Sequence, residues 1–212
     1  MKIGILWDLD GTLLDTLEDL MDGVNYALNQ FGLPPRTLEE VRQFVGNGAA
    51  NLIKRAVDGR ADEKAVLDVF KVYYNAHCQI KTRPYEGVAE ALAQLGEQYP
   101  MAIVSNKPDS AVKPLCEQYF PGMYALGERA DCPRKPAPDM VHKAMADLGV
   151  ETCIYVGDSE VDVATAKNAG VKCLSVLWGF RDREELEQAG GEYFCQETSR
   201  LVEKLEDLIH GQ

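Results

Sequence analysis

From residue 83 onward the chain repeats one rhythm: an amphipathic helix, then a short apolar run. Val88, Ala91, Leu92 and Leu95 fall at helical spacing ahead of Met101-Ala102-Ile103-Val104. A second helical segment precedes Tyr124-Ala125-Leu126, and a third, over 139–148, precedes Cys153-Ile154-Tyr155-Val156. A fourth, over 161–168, precedes Cys173-Leu174-Ser175-Val176-Leu177. Such short runs without polar alternation suit strands buried on both faces. Strands alternating with helices form a parallel sheet with helices covering it on either side.

The N-terminal run Ile3-Gly4-Ile5-Leu6-Trp7 has the same character and is assigned to the same sheet. Helical spacing then takes over for a long stretch. Leu17, Leu20, Met21, Val24, Leu28 and Phe31 mark one helix, ended by Gly32-Leu33-Pro34-Pro35. Thr37-Leu38-Glu39-Glu40 has the pattern of a capping box for the next. Gly46-Asn47-Gly48 leads into a third helix (Leu52, Ile53, Ala56, Val57), and a fourth carries Ala65, Val66, Val69, Phe70 and Tyr73. The expected fold class is therefore α/β: a Rossmann-like, three-layer core with a parallel sheet, built from residues 1–14 and 83–212. An inserted α-helical domain, residues 15–82, interrupts it. The connections at Leu14-Asp15 and Thr82–Gly87 read as hinges.

A chain of 212 residues suits one large domain or two smaller ones. Its formal net charge of -12 argues against nucleic acid and against an anionic membrane surface as partners. No apolar stretch reaches membrane-spanning length, and the N-terminus lacks the pattern of a signal peptide. Six widely spaced cysteines without a CxxC pair read as free thiols in a reducing compartment, so a cytoplasmic location is expected. Three scattered histidines make a His-based metal site a poor expectation. A monomer or weak homodimer is expected.

Parallel strands place their carboxyl ends on one edge, where open sheets bind ligands. The first strand ends in Asp8-Leu9-Asp10-Gly11-Thr12, and the second in Ser105-Asn106-Lys107. The third is followed by Arg134-Lys135-Pro136-Ala137-Pro138-Asp139, and the fourth by Gly157-Asp158-Ser159-Glu160-Val161-Asp162. Two aspartates separated by a single residue repel each other unless a cation or proton lies between them. Together the four ends supply carboxylates, a hydroxyl and a lysine. That inventory suits phosphoryl transfer from a monoester. A carboxylate nucleophile splits a very slow hydrolysis into two easier steps, and a second acid can serve the leaving alkoxide and then the water. Mg²⁺ is the natural cation between a carboxylate and a phosphate dianion. Lys135 and the Ser105 hydroxyl suit the remaining phosphoryl oxygens.

These four ordered segments resemble the motifs of the haloacid dehalogenase superfamily of phosphatases. The resemblance implies Asp8 as nucleophile and Asp10 as general acid/base. It implies Mg²⁺ held by Asp8, the Asp10 backbone carbonyl and Asp158, with Asp162 helping through water or by orienting a ligand. Ser105 and Lys135 would bind the phosphoryl group, with backbone donors from Leu9, Asn106 and Lys107. A helical insertion after the first motif, acting as a cap, is also a family trait. VGNGAANLIKRA, SNKP and YVGDSEVDVATAKNAGV followed by LWGFR are most similar to the phosphoglycolate phosphatase group, which implies a small phosphorylated metabolite as substrate, 2-phosphoglycolate first. Pyrophosphatases and β-phosphoglucomutases are the nearest alternatives, and a catalytically silent binding protein is the alternative from another class. Trp7 stands where these proteins more often carry phenylalanine.

Each residue also has a simpler reading. Asp-Gly is common in turns, and Ser105 alone fits a helix cap. Asp158 and Asp162, four apart, would share a face of a helix starting near Asp158, while more simply Asp158 and Glu160 favour a helix N-terminus through its dipole. Gly46-Asn47-Gly48, Lys54, Arg55 and Arg181 remain open between substrate contact and plain surface or loop.

Overall fold

The computed structural model describes residues 2–211. In chain order the elements are β1 (Ile3–Trp7), β2 (Leu14–Asp15), α1 (Leu17–Gln30), α2 (Leu38–Phe44), α3 (Gly48–Val57) and α4 (Glu63–His77). Then come β3 (Arg83–Pro84), α5 (Val88–Gly96), β4 (Met101–Pro108), α6 (Asp109–Tyr119), β5 (Tyr124–Glu128) and α7 (Asp139–Leu148). The chain finishes with β6 (Thr152–Gly157), α8 (Glu160–Ala169), β7 (Lys172–Val176), α9 (Arg183–Gln188), β8 (Tyr193–Cys195) and α10 (Leu201–His210).

Six strands form one parallel sheet in the order β5-β4-β1-β6-β7-β8. The chain builds outward from β1 to β5 on one side, then crosses back to start β6 on the other. The carboxyl ends of β4, β1 and β6 therefore flank the point where the winding reverses, which is where such sheets open a crevice. Side chains alternate across the sheet. Ile5, Trp7, Ile103, Ile154 and Val156 enter one apolar layer. Leu6, Ala102, Val104, Cys153 and Tyr155 enter the other, beneath Met140, Val141 and Ala144 of α7. The doubly covered α/β sheet inferred from the rhythm is the observed fold.

The helices α1–α4 pack mainly on one another. The capping box at Thr37 is formed, with Glu40 answering the Thr37 backbone. Gly23 of α1 lets α4 come close: a Cβ there would stand 3.0 Å from the Phe70 ring and 3.2 Å from Tyr74. A two-strand antiparallel ribbon, β2 with β3, joins this block to the sheet through Leu14–Pro84 and Asp15–Arg83 pairing. The buried carboxylate of Asp19 accepts the backbone N–H groups of Lys81 and Thr82 and the Thr82 hydroxyl, tying α1 to the returning chain. Beside the ribbon, the Trp178 indole donates to the Thr12 carbonyl at 3.0 Å, and its ring lies 6.5 Å from that of Tyr85.

Two local details differ from the sequence reading. β4 runs to Pro108, so Ser105, Asn106 and Lys107 lie within the strand, past a break in register after Val104. Asp158 does not share a helix face with Asp162. Ser159 is extended (φ -129°, ψ 162°), which leaves Asp158 outside α8, while Asp162 closes a capping box on Ser159. Among the described residues no helix is long and apolar enough to cross a membrane.

Candidate active site

Asp8 sits at the carboxyl end of the central strand, buried. Its Oδ1 accepts the Leu9 N–H at 2.7 Å and lies 2.9 Å from the Lys135 Nζ. Lys135 is 1% exposed, an environment a lysine occupies only when its charge is matched. Besides Asp8, its ammonium meets Asp162 Oδ1 at 2.7 Å and the Tyr155 hydroxyl at 2.9 Å. The Tyr155 hydroxyl in turn donates a hydrogen bond to the Val104 carbonyl. The lysine is thus fixed in direction by three partners from β1, β6 and α8. The carboxylates drive its pKa well above the ordinary value despite burial.

Asp158 is oriented by the Thr12 hydroxyl at 2.9 Å and the Phe180 N–H at 2.8 Å. The fit is close: a Cβ on Gly11 would stand 2.2 Å from an Asp158 oxygen, and one on Gly179 would stand 2.3 Å from the Asp158 Cβ. Asp8, Asp158 and Asp162 each bring a carboxylate oxygen to within 4.8 Å of the others. Burial and the field of Asp162 push Asp8 up to about 7, and the same causes raise Asp158 well above the carboxylate range. Three buried carboxylates around one ammonium lack positive charge, and hard oxygen donors suit a divalent cation such as Mg²⁺. Asp8 and Asp158 fit as its holders. Asp162 stands beside them, one oxygen on the Lys135 ammonium and the other on the N–H and hydroxyl of Ser159, where it orients the lysine.

Asp10 stands apart from that cluster. Its two oxygens accept from Lys107 Nζ at 2.8 and 3.1 Å. Lys107 is buried and also donates to the Tyr74 hydroxyl at 2.6 Å, which brings α4 into the site. Of the three expected backbone donors, Leu9 N–H is turned onto Asp8 and Lys107 N–H onto the Ser105 hydroxyl at 3.2 Å. The Asn106 side chain forms a reciprocal pair with the Lys135 backbone, both bonds 2.9 Å, which pins the Lys135 loop to β4. Ser105 itself is buried and faces the same cavity.

That cavity, about 40 Å³, has Asp8, Asp10, Ser105, Asn106, Lys107 and Asp158 as its floor. Its roof is Leu20, Val45, Gly46, Gly48, Ala49, Leu52, Phe70 and Tyr74. The Gly46-Asn47-Gly48 loop thus reaches the site. Arg55 does not serve it, donating instead to the carbonyls of Gln43 and Phe44. Arg181 is buried and faces the cavity wall. It donates to the carbonyls of Arg42 and Val45, while Arg42 donates to those of Phe180 and Gly179. The helical block and the loop after β7 therefore exchange arginines.

Sequence reasoning passed over Thr12, Tyr155, Tyr74 and Arg42. Thr12 and Tyr155 had a signal available: Thr12 follows the paired aspartates, and Tyr155 is a hydroxyl inside a buried strand, where it needs a partner. Tyr74 and Arg42 carry none, because helical spacing alone does not say which face meets the sheet.

Comparison with known proteins agrees with this geometry. A family model described as haloacid dehalogenase-like hydrolase matches residues 5–176. A phosphoglycolate phosphatase of Pseudomonas fluorescens is 35% identical over 98% of this chain and 78% of its own length. Phosphoglycolate phosphatase 1 of Pseudomonas aeruginosa is 35% identical over 97% of this chain and 78% of its length. Among solved structures, a candidate phosphoglycolate phosphatase from Lactobacillus delbrueckii subsp. bulgaricus superposes with a TM-score of 0.88 at 36% identity, covering 95% of this chain and 97% of that one. With the matched region spanning every strand end that lines the cavity, the chain belongs to the haloacid dehalogenase-like hydrolase family.

Proposed function

We propose that this chain is a Mg²⁺-dependent phosphomonoester hydrolase that acts on 2-phosphoglycolate through a phosphorylated Asp8. Membership of the family and the phosphoglycolate phosphatases among its relatives support phosphatase chemistry. The observation that carries the mechanism is the pairing of Asp8 with Lys135 at 2.9 Å at the end of the central strand. A carboxylate so placed can attack phosphorus while the ammonium beside it receives the phosphoryl oxygens. The Asp8 oxygen forms the new bond to phosphorus, and the bond to the leaving oxygen breaks. Asp10, two residues on, in its protonated form gives its proton to the leaving alkoxide. It then takes one from the water that attacks the phosphorylated Asp8. Ser105 donates to a phosphoryl oxygen. A bound Mg²⁺, held by Asp8 and Asp158, supplies the charge that lets a carboxylate approach a phosphate dianion.

Residues 15–82 act as a cap that closes over the site, hinged at the β2–β3 ribbon, and closure excludes water. The small cavity under that roof favours a short leaving group. The six thiols, all unpaired, suit a reducing compartment, and we place the enzyme in the cytoplasm. Replacing Asp8 by Asn tests the reading directly. Release of phosphate from 2-phosphoglycolate, followed with Mg²⁺ present, should fall to background. Near-normal kcat in that variant would remove Asp8 from the nucleophile's role.

A further inference from the structure

Every roof residue but one is apolar or glycine: Tyr74 alone brings a polar side chain from α1–α4 to the cavity. Its placement is built. The ring stacks on Phe70 with centroids 5.1 Å apart, in the space left by Gly23. Its hydroxyl oxygen accepts from Lys107 Nζ at 2.6 Å, and that ammonium lies over the Tyr74 ring, 4.6 Å from its centroid. Burial raises the Tyr74 pKa above the ordinary phenol value, so the group keeps its proton. Among the described residues no acceptor takes that proton, although the side chain is 2% exposed.

A lysine cannot accept, so the Lys107 bond fixes the polarity of the phenol. Its oxygen is occupied by a donor, and its proton is left to be given into the cavity. A ligand group beside it must therefore be an acceptor. The Lys107 ammonium behind the phenol, although it also holds Asp10, favours a negative acceptor over a neutral one. The apolar remainder of the roof offers nothing to the several hydroxyls of a sugar, which would be buried without partners.

We infer that Tyr74 is the residue that selects the leaving group, donating its hydroxyl proton to a carboxylate on a short-chain phosphoester. This deepens the phosphatase reading and rests on it. It also gives the cap a defined share in recognition: the carboxylate is read only when α4 stands over Lys107.

The test compares kcat/KM for 2-phosphoglycolate and ethyl phosphate, which has a methyl group in place of the carboxylate. Tyr74→Phe keeps the ring and removes only the donor, and its residual turnover of ethyl phosphate serves as the check that it folds. The wild-type enzyme should favour 2-phosphoglycolate. In Tyr74→Phe that preference should shrink about tenfold or more, chiefly through KM, as expected for a lost hydrogen bond to a charged group. An unchanged ratio in the variant overturns the assignment, and so does a wild-type enzyme without preference for the carboxylate. Both leave the phosphatase reading intact if turnover of ethyl phosphate still depends on Asp8. If no phosphoester is cleaved in an Asp8-dependent way, that reading fails and the role of Tyr74 fails with it.

Discussion

Lys135, bonded to Asp8 of the cavity floor, meets Asp8, Asp162 and Tyr155 within 2.9 Å, while the Tyr74 hydroxyl in the roof meets Lys107 alone. The floor is charged and internally bonded. It is held by strand ends whose positions the parallel sheet dictates. The roof is apolar apart from one hydroxyl and belongs to a block joined to the sheet by a ribbon two residues wide. A floor of fixed charges can treat every phosphoryl group alike, because the group transferred is always the same. A roof that differs only in shape and in one donor can discriminate among leaving groups. On this reading, chemistry and choice reside in separate halves of the cavity.

Substitutions should break that division or sharpen it. The largest effect belongs to the floor. Lys135→Met removes the ammonium proposed to receive phosphoryl oxygens, and kcat should fall by about 10²–10³-fold. The loss should be equal for 2-phosphoglycolate and ethyl phosphate. Because Asp8 and Asp162 lose their partner, urea denaturation without added divalent cation should show stability lower by about 3 kcal/mol or more. A loss that differed strongly between the substrates would mean the floor also chooses.

Arg42→Ala comes next. It deletes the bonds from α2 to the Gly179 and Phe180 carbonyls. Hydrogen bonds from a charged donor contribute about 1.5–3 kcal/mol, so kcat/KM should drop roughly tenfold or more if those bonds hold the cap shut. Arg181→Ala should act on the same closure, and the double variant should lose less than the two single losses added together, as expected for residues sharing one interface. Strict additivity would show that the two arginines act independently.

Gly23→Ala is the smallest. The added methyl meets Phe70 and Tyr74 at contact distances that require one of them to give. Overpacking costs about 1–3 kcal/mol, and better helix propensity returns up to about 1 kcal/mol. Thermal unfolding should therefore show a modest net loss. The substrate preference should shift with it, since the ring that moves carries the donor. A stable variant with wild-type preference would separate Gly23 from recognition.

The same division explains what was legible in the sequence. Asp8, Ser105 and Asp158 each follow an apolar run and Lys135 lies in the segment after another, and a parallel sheet gathers such positions whatever the side-chain details. The α/β rhythm therefore placed the floor. The relation of Asp158 to Asp162 was misjudged because spacing alone cannot show that Ser159 is extended and that α8 begins after it. The resemblance implies only a backbone donor at Lys107, yet its side chain bridges Asp10 and Tyr74, a contact between segments distant in sequence. Tyr74 was illegible for a different reason. With Val66 and Phe70 it forms an apolar stripe at four-residue spacing, the pattern of an ordinary core face. Only the position of α4 over the strand ends turns Phe70 and Tyr74 of that stripe toward the cavity.

The ribbon has one more consequence. Of the two tryptophans in the chain, Trp7 is sealed inside β1, whereas Trp178 is bonded to the Thr12 carbonyl beside Tyr85, where the returning strand meets the sheet. Trp178 thus sits against the base of the ribbon about which residues 15–82 would swing, while Trp7 is held within the sheet. The molecule carries its own optical gauge: in a Trp7→Phe background, emission from Trp178 should change when a phosphate analogue is added, with no dye attached.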